Sequence, residues 1–475
     1  MYALVPDYLL FQPFVSRACI SGRKAGVKPF PARILGLFQN SKDSAYFYNR
    51  LLGMGSVLFL CFRTDWQGHV PFGFRESLVC WPLVNVMQTP YLRGRFIEGG
   101  RFVVLYFINN QIFLYVMSSV KVLTVNPGST STKIAVFVDE QNIFQKNIKH
   151  SVEELAPFAK IADQFEFRRD MILGVLRDEA KMDIKDFDYI VGRGGLIKPV
   201  ASGIYEVNDA LKHDLQIGVQ GEHASNLGGL IASDLARLNG HAKAYIADPV
   251  VVDELDDVAR ITGHPAFERV SIFHALNQKA IARTYAKEHG KKYEELNLIV
   301  VHLGGGISVG AHRQGRIVDV DNCLDGNGPF SPERSGSLPS GALVDACFSG
   351  KYTKAQLKKM VCGQGGYVAY LGTNDAYEVE LRVKAGDKKA ALIEQAMIYQ
   401  VSKEVGAQAT VLKGKVDAIL ITGGIARGKA FVEDIKERVS FIAPVFVYPG
   451  EDEMKALAMN AYMLHNGEIE AKVYA

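Results

Sequence analysis

From Val120 onward the chain reads as an α/β protein of more than one lobe. Three observations predict this. Short apolar runs alternate with helical periods through most of the sequence. Two strand–turn–strand units rich in glycine recur far apart in the chain, and a third glycine turn joins a strand to a helix near the C-terminus.

Taken in order, strand patterns run from Val120 to Val125, Ile134 to Val138, Tyr189 to Val191, Ala244 to Ala247, Leu298 to His302, Ile307 to Ala311, Ile317 to Val320, Ala418 to Thr422 and Val445 to Tyr448. Each is a short run of β-branched or aromatic residues bounded by turn formers. Apolar residues spaced three and four apart predict helices over Phe165 to Lys181, Ala224 to Leu238, Phe273 to His289, Ala390 to Leu412, Ala430 to Val439 and Asp452 to Leu464.

Residues 1–116 differ abruptly. They carry 12 Lys and Arg against 5 Asp and Glu, and 22 of the 48 aromatic residues, without a sustained helical or strand period. They are expected to be an N-terminal extension lying upstream of a true start at Met117; a small accessory domain is the competing expectation. The apolar run from Phe102 to Met117 is broken by Asn109, Asn110 and Gln111 and is short for a membrane span, so no membrane association is expected.

The net charge of +3 argues against a dedicated nucleic-acid binder. Six cysteines without paired spacing favour a reducing, cytoplasmic setting over a disulfide framework or a zinc site.

The chemistry-bearing residues collect at the turns. Asn126-Pro-Gly-Ser129-Thr-Ser131-Thr-Lys133 joins the first two strands. Backbone N–H groups and hydroxyls in such a turn can surround an anion while the lysine supplies charge; a plain polar hairpin is the alternative. His302-Leu-Gly304-Gly305-Gly306 repeats the arrangement in the second unit, which suggests a duplicated fold gripping a nucleotide between two lobes. Gly423-Gly424 opens the third turn. With Gly428 and Lys429 it nearly fits a P-loop, but Ala430 stands where the magnesium-binding hydroxyl is needed. The alternatives there are a backbone turn that lets a nucleoside approach closely, or a simple strand-to-helix turn.

Arg193, in Gly-Arg-Gly-Gly, and Arg334, in a loop of Gly, Ser and Pro, offer planar forks suited to a carboxylate or a phosphoryl group in transfer. The glycines beside Arg193 are expected to let an oxyanion come close. His223 and His274 stand at the starts of helical patterns, where an imidazole can donate to an anion. Asp248 ends a strand, and Glu451, Asp452 and Glu453 follow another; either place suits a magnesium ion, directly or through water, although at least one of the three would simply complement the helix dipole.

In this order and spacing, Asn126-x-Gly-Ser129-x-Ser131-x-Lys133, Gly-Arg193-Gly-Gly, His223, Asp248, Phe273-His274, His302-Leu-Gly-Gly-Gly, Arg334 and Pro449-Gly-Glu-Asp-Glu453 resemble the acetokinase family over about residues 119–475. The resemblance implies a duplicated actin-like ATPase fold of the ribonuclease H-like kind, with two lobes and a central nucleotide cleft. It places one lobe at 117–248 plus 454–475 and the other at 249–453. It implies ATP and Mg2+, a small-molecule carboxylate as acceptor, an acyl phosphate as product, and a homo-oligomer of two or more copies.

Carried over by position, Arg193 and Arg334 would bind the carboxylate and the phosphoryl group in flight, and His274 would donate to that group, as His223 would from the acyl side. Asp248 and Glu453 would hold or orient magnesium. Asn126, Ser129, Ser131, Lys133, His302 and Gly304 to Gly306 would line the phosphate path, and Gly423 and Gly424 would touch adenosine. Gly305 stands where acetate kinases have asparagine, and the first arginine motif is shorter than theirs; both differences point toward the butyrate-phosphorylating branch. An acetate- or propionate-type kinase, a noncatalytic actin- or chaperone-like ATPase, a P-loop enzyme using Lys429 and a membrane-anchored protein are the alternatives.

Overall fold

The computed structural model describes the backbone of residues 56–61, 79–82, 102–108 and 111–117, and residues 119–475 in full. The chain divides into two compact units, Met1–Ser119 and Val120–Ala475. In the first, β1 (Ser56–Cys61), β2 (Val79–Pro82), β3 (Phe102–Ile108) and β4 (Gln111–Met117) form an antiparallel sheet in the order β2-β1-β3-β4. The sequence shows no strand period here because the run over β3 and β4 is nearly continuously apolar and so carries no alternation. Among the described residues no helix is long and apolar enough to cross a membrane.

The second unit holds two sheets of matching design. The first contains β5 (Lys121–Pro127), β6 (Ser131–Val138), β7 (Gln141–Lys149), β8 (Tyr189–Arg193), β9 (Ile204–Glu206) and β10 (Lys243–Ala247), ordered β7-β6-β5-β8-β10-β9. The second contains β11 (Asn297–Leu303), β12 (Ile307–Arg313), β13 (Arg316–Val320), β14 (Ala418–Gly423) and β15 (Val445–Pro449), ordered β13-β12-β11-β14-β15. In each, an antiparallel three-strand meander is extended by two parallel strands. The duplication suggested by two glycine turns therefore extends to whole sheets, with the two turns at equivalent places.

Six helices matter for the site: α1 (Phe165–Val175), α2 (Asn226–Asn239), α3 (Ala275–Glu288), α4 (Lys388–Val411), α5 (Lys429–Val439) and α6 (Glu453–His465). Alternate residues of β5 face opposite cores: Leu123 and Val125 pack with Ile172 of α1 and Leu227 and Ile231 of α2, whereas Val122 packs with Leu457 and Ala461 of α6. The second sheet repeats this. Ile299 and Val301 pack with Val401 of α4 and Ile435 of α5, and Leu298 and Val300 pack with Ala282 and Tyr285 of α3. Both faces of both sheets are covered, which explains why the central strands read as continuous apolar runs. Leu276 at the start of α3 reaches the core beneath α6, so these two helices hold the sheets together.

Edge strand β7 has a largely exposed pattern and only one buried residue, Ile148, so its sequence carries no apolar signal. The helix predicted to Lys181 leaves regular geometry at Leu176, passes through one wider π-type turn and ends at Lys181 with φ of 55°.

Candidate active site

The ends of β8, β10 and β11 and the starts of α3 and α6 meet at one narrow cavity. Its walls include Arg193, Asp248, His274, His302 and Glu453, five residues drawn from five motifs distant in sequence. Arg193 is the last residue of β8, and its guanidinium lies 3.1 Å from Glu453 Oε1. It also donates to Asn126 Oδ1 at 3.4 Å, while Asn126 Nδ2 donates to Glu453 Oε2 at 2.5 Å. A turn, a strand end and a helix start are thus tied in a closed triangle.

The three carboxylates after β15 divide their work. Glu451 Oε1 lies 3.2 Å from His302 Nε2; burial works to raise its pKa, but His302, Arg193 and Lys133 outweigh that and hold it below the usual range. Asp452 caps α6, accepting from Lys455 N at 3.0 Å. Glu453 belongs to the arginine triangle. Dipole complementation therefore falls to Asp452, and Glu451 joins the site.

Asp248, buried at the end of β10, has φ of 38°, a backbone state costly for a non-glycine residue. Its side chain secures the turn: Oδ1 accepts from Ser202 Oγ at 2.6 Å and Gly203 N at 2.8 Å, and Oδ2 pairs with Arg283 at 3.1 Å.

His274 Nδ1 lies 2.9 Å from Ser308 Oγ, and its ring stacks on His302 at 3.8 Å between centroids. Burial, then His302, Arg334 and Arg193, hold its pKa well below the ordinary histidine value of 6.5. His223, exposed and ahead of α2, hydrogen-bonds Ser225 Oγ at 2.8 Å through Nδ1; desolvation and then the charges of Arg193 and Arg334 lower it too. Both arginines therefore act on both histidines, although far apart in sequence.

Arg334 donates to Cys323 O at 2.8 Å and crosses beside Gly306, where any added Cβ would fall on its guanidinium. The second glycine turn is thus shaped around this arginine. Gly304 fits against Glu451 and His302, whereas Gly305 is exposed with no atom closer than 3.9 Å to an added Cβ. At the third turn a Cβ on Gly423 would strike the Leu303 backbone, so this glycine serves strand packing, while Gly424 faces open space. Lys429 is exposed at the first turn of α5 and is not among the cavity residues.

One expectation is corrected. The glycines flanking Arg193 do not leave room for an oxyanion: Cβ atoms at Gly192, Gly194 and Gly195 would meet Gly228, Pro249 and Asn226 respectively. They are small because α2 and the β10 turn pack directly on the strand backbone.

Arg168, on α1, escaped sequence reasoning. Fully buried, it donates to the carbonyls of Gly128, Ser129 and Ser131 and to Thr132 Oγ1, fixing the first turn from behind. Desolvation lowers its pKa to about 10, leaving it cationic at neutral pH. Its signal was its place on the apolar stripe of α1, one turn before Ile172 and two before Leu176. With its carbonyls turned inward to Arg168, this turn leaves Ser129 exposed, Ser131 partly so, and Lys133 close enough for its charge to act on Glu451.

The open backbone at Gly305 and Gly424 fits a ligand that approaches main chain closely, as a nucleotide does. For a divalent cation, Asp248 and Glu453 share the cavity, but their oxygens already accept from protein donors. Among the described residues no group of three or more His, Cys, Asp and Glu side chains could hold a metal alone. Such a donor set fits magnesium held partly through its own waters and through phosphate oxygens.

Two duplicated sheets around a cleft of arginines, histidines and glycine turns define a phosphotransferase of the actin-like ATPase fold. The acetokinase family model matches residues 269–443. The chain is 56% identical over 354 residues to butyrate kinase 2 of Clostridium acetobutylicum, spanning 74% of this chain and 99% of the relative. It is 54% identical over 354 residues to a probable butyrate kinase of Bacteroides thetaiotaomicron, again 74% and 99%. Acetate kinase of Porphyromonas gingivalis superposes with a TM-score of 0.61 at 19% identity, covering 73% of this chain and 100% of that one. The chain belongs to the acetokinase family.

Proposed function

We infer that this protein is an ATP-dependent carboxylate kinase that phosphorylates butyrate or a branched analogue, reversibly, to an acyl phosphate. The observation that carries the reading is one cavity lined by Arg193, Asp248, His274, His302 and Glu453, with Arg334 crossing the neighbouring glycine turn at Gly306. A carboxylate already bears its nucleophilic oxygen, so the step needs no strong base. It needs relief of repulsion between two anions and in-line alignment.

In this reading Arg193 and Arg334 clamp the carboxylate and the transferring phosphoryl oxygens. His274 donates to the latter and His223 steadies the acyl side. Asn126, Ser129, Ser131, Lys133, His302 and Gly304 to Gly306 line the phosphate path, and Gly424, with Gly423 behind it, meets adenosine. Asp248 and Glu453 would hold magnesium, which supplies charge neutralisation on the phosphates when bound. The lobes are proposed to be 117–248 with 454–475, and 249–453. A cytoplasmic homo-oligomer is proposed on the cysteine spacing and on exposed apolar residues such as Val344 and Phe348.

The relatives named as butyrate kinases support the acyl choice. One methylene in an apolar pocket discriminates by only about 1 to 3 kcal/mol, so neighbouring acids should react as well. The test is acyl hydroxamate formation from acetate, propionate, butyrate, isobutyrate and valerate with magnesium ATP. Butyrate or isobutyrate should give the highest kcat/KM, and Arg334→Ala should lower it by roughly 10² to 10³. Absence of acyl phosphate from every acid would overturn the reading.

A further inference from the structure

His274 is the visible end of a buried line of polar groups that no motif announced. Ser308, Gly310 and His312 occupy alternate positions on β12 and so share a face; Gln278 follows His274 by one turn at the start of α3. Ser308, His312 and Gln278 are fully buried, and Tyr293 is nearly so. The contacts run in sequence: Tyr293 Oη to His312 Nδ1 at 2.7 Å, His312 Nε2 to Gln278 Oε1 at 2.9 Å, Gln278 Nε2 to Ser308 Oγ at 2.9 Å, and Ser308 Oγ to His274 Nδ1 at 2.9 Å.

The direction of every proton follows from one fixed point. The Ser308 carbonyl can only accept, so the Gln278 atom 3.2 Å from it is the amide nitrogen. Gln278 Oε1 then faces His312 and must receive its Nε2 proton. His312 is buried beside Lys279 and Arg283, and desolvation, then those charges, keep it neutral, so its Nδ1 accepts from Tyr293. At the other end Ser308 Oγ accepts from Gln278, and its own hydrogen is free to point at His274 Nδ1. Gly310 supports the same design, since a Cβ there would meet Gln278 Oε1 at 2.6 Å. A side chain at that position would push the amide out of line.

We propose that Tyr293, His312, Gln278 and Ser308 form a one-way hydrogen-bond chain that keeps the proton of His274 on Nε2. These four are positioning residues. The consequence for phosphoryl transfer rests on the reading that His274 faces the phosphoryl group: Nε2 has no hydrogen-bond partner among the described residues, and His274 lines the cavity with Arg193, Asp248 and Glu453. A histidine free to shift its proton to Nδ1 would present a lone pair to phosphoryl oxygens, and two acceptors repel. The chain removes that state before substrate arrives, which is electrostatic preorganisation acting at a distance.

The full-length protein, labelled with 15N in its imidazoles, allows the tautomer of His274 to be read from long-range proton–nitrogen correlations, with His274→Gln identifying the signal. The wild type should show the proton on Nε2. Ser308→Ala should move it wholly or partly to Nδ1 and lower kcat by up to about 10²-fold with little change in KM for ATP, as expected for misalignment of a transition-state donor. Ser308→Thr, which keeps the hydroxyl, should restore both tautomer and rate. A wild-type proton on Nδ1, or an unchanged tautomer in Ser308→Ala, would overturn the chain. The wild-type spectrum decides even where a variant folds poorly. Full activity of His274→Gln would instead overturn the role given to His274, a separate failure visible in the kinetics alone.

Discussion

The imidazoles of His274 and His302 stack with centroids 3.8 Å apart and planes 9° from parallel. At that distance the low-dielectric interior strongly opposes two simultaneous charges. His302 reaches Asn277 Oδ1 with one nitrogen and Glu451 Oε1 with the other, and after burial its proximity is the largest cause holding the His274 pKa down. The stack therefore helps keep His274 neutral.

Acid should unfold the protein through these histidines. His274 and His312 lie well below the ordinary value of 6.5 because of burial first, and the buried His150 is lowered in the same way. A histidine depressed in the folded state binds fewer protons than in the unfolded chain, so stability rises with pH and is lost as pH falls below about 6.5. Asp321 and Glu394, both pushed up by desolvation first, work against this below neutrality, but they are two groups against three. Melting temperature followed from pH 8 to pH 5, roughly the range in which histidine changes charge, should fall on the acid side. A flat profile would contradict the buried, neutral assignment of the histidines.

Two glycine turns predict opposite phenotypes. Gly306→Ala places its methyl on the Arg334 guanidinium, so it should cost kcat nearly as much as Arg334→Ala, roughly 10². Gly424→Ala meets nothing within 4 Å, so the folded enzyme should tolerate it and show any penalty mainly in KM for ATP. Steady-state kinetics on the two variants, with circular dichroism to confirm folding, separate the outcomes. Equal effects on kcat would mean that Gly306 does not act through Arg334.

How far the sequence showed the site depends on what each residue leaves in a linear pattern. Asn126, Arg193, His274, His302 and Glu453 stand at the ends of periodic elements, where a polar residue interrupting an apolar pattern is visible, and the cavity gathers most of them. The glycines were visible as glycines but not by purpose. Gly423 and Gly192 are small because backbone packs on them, Gly306 because an arginine crosses it, and Gly424 because nothing does. Such differences depend on partners far away in the chain. Glu451, Asp452 and Glu453 show the same limit, three adjacent acids whose separate tasks are set by His302, the start of α6 and Arg193. Ser308 and His312 did leave a period-two polar trace on an apolar strand, but only Gln278 on another element gives it meaning.

Arg168 carries the last prediction. Its guanidinium satisfies three carbonyls of the first turn together with Thr132 and Gln164, and nothing else nearby could replace a planar fork with so many donors. Arg168→Met keeps much of the volume but leaves buried acceptors unpaired at about 1 to 3 kcal/mol each, so a loss of about 3 kcal/mol or more is expected in urea unfolding. The turn itself would relax as well, because its carbonyls would rotate outward to find water and carry the Ser129 and Ser131 hydroxyls with them. KM for ATP should therefore rise in Arg168→Met even under conditions where the variant is fully folded. Arg168→Lys, a point charge able to reach only some of the carbonyls, should fall between the two. A variant that loses stability but binds ATP as the wild type does would show that the turn holds its shape without Arg168, and would detach this residue from the nucleotide site.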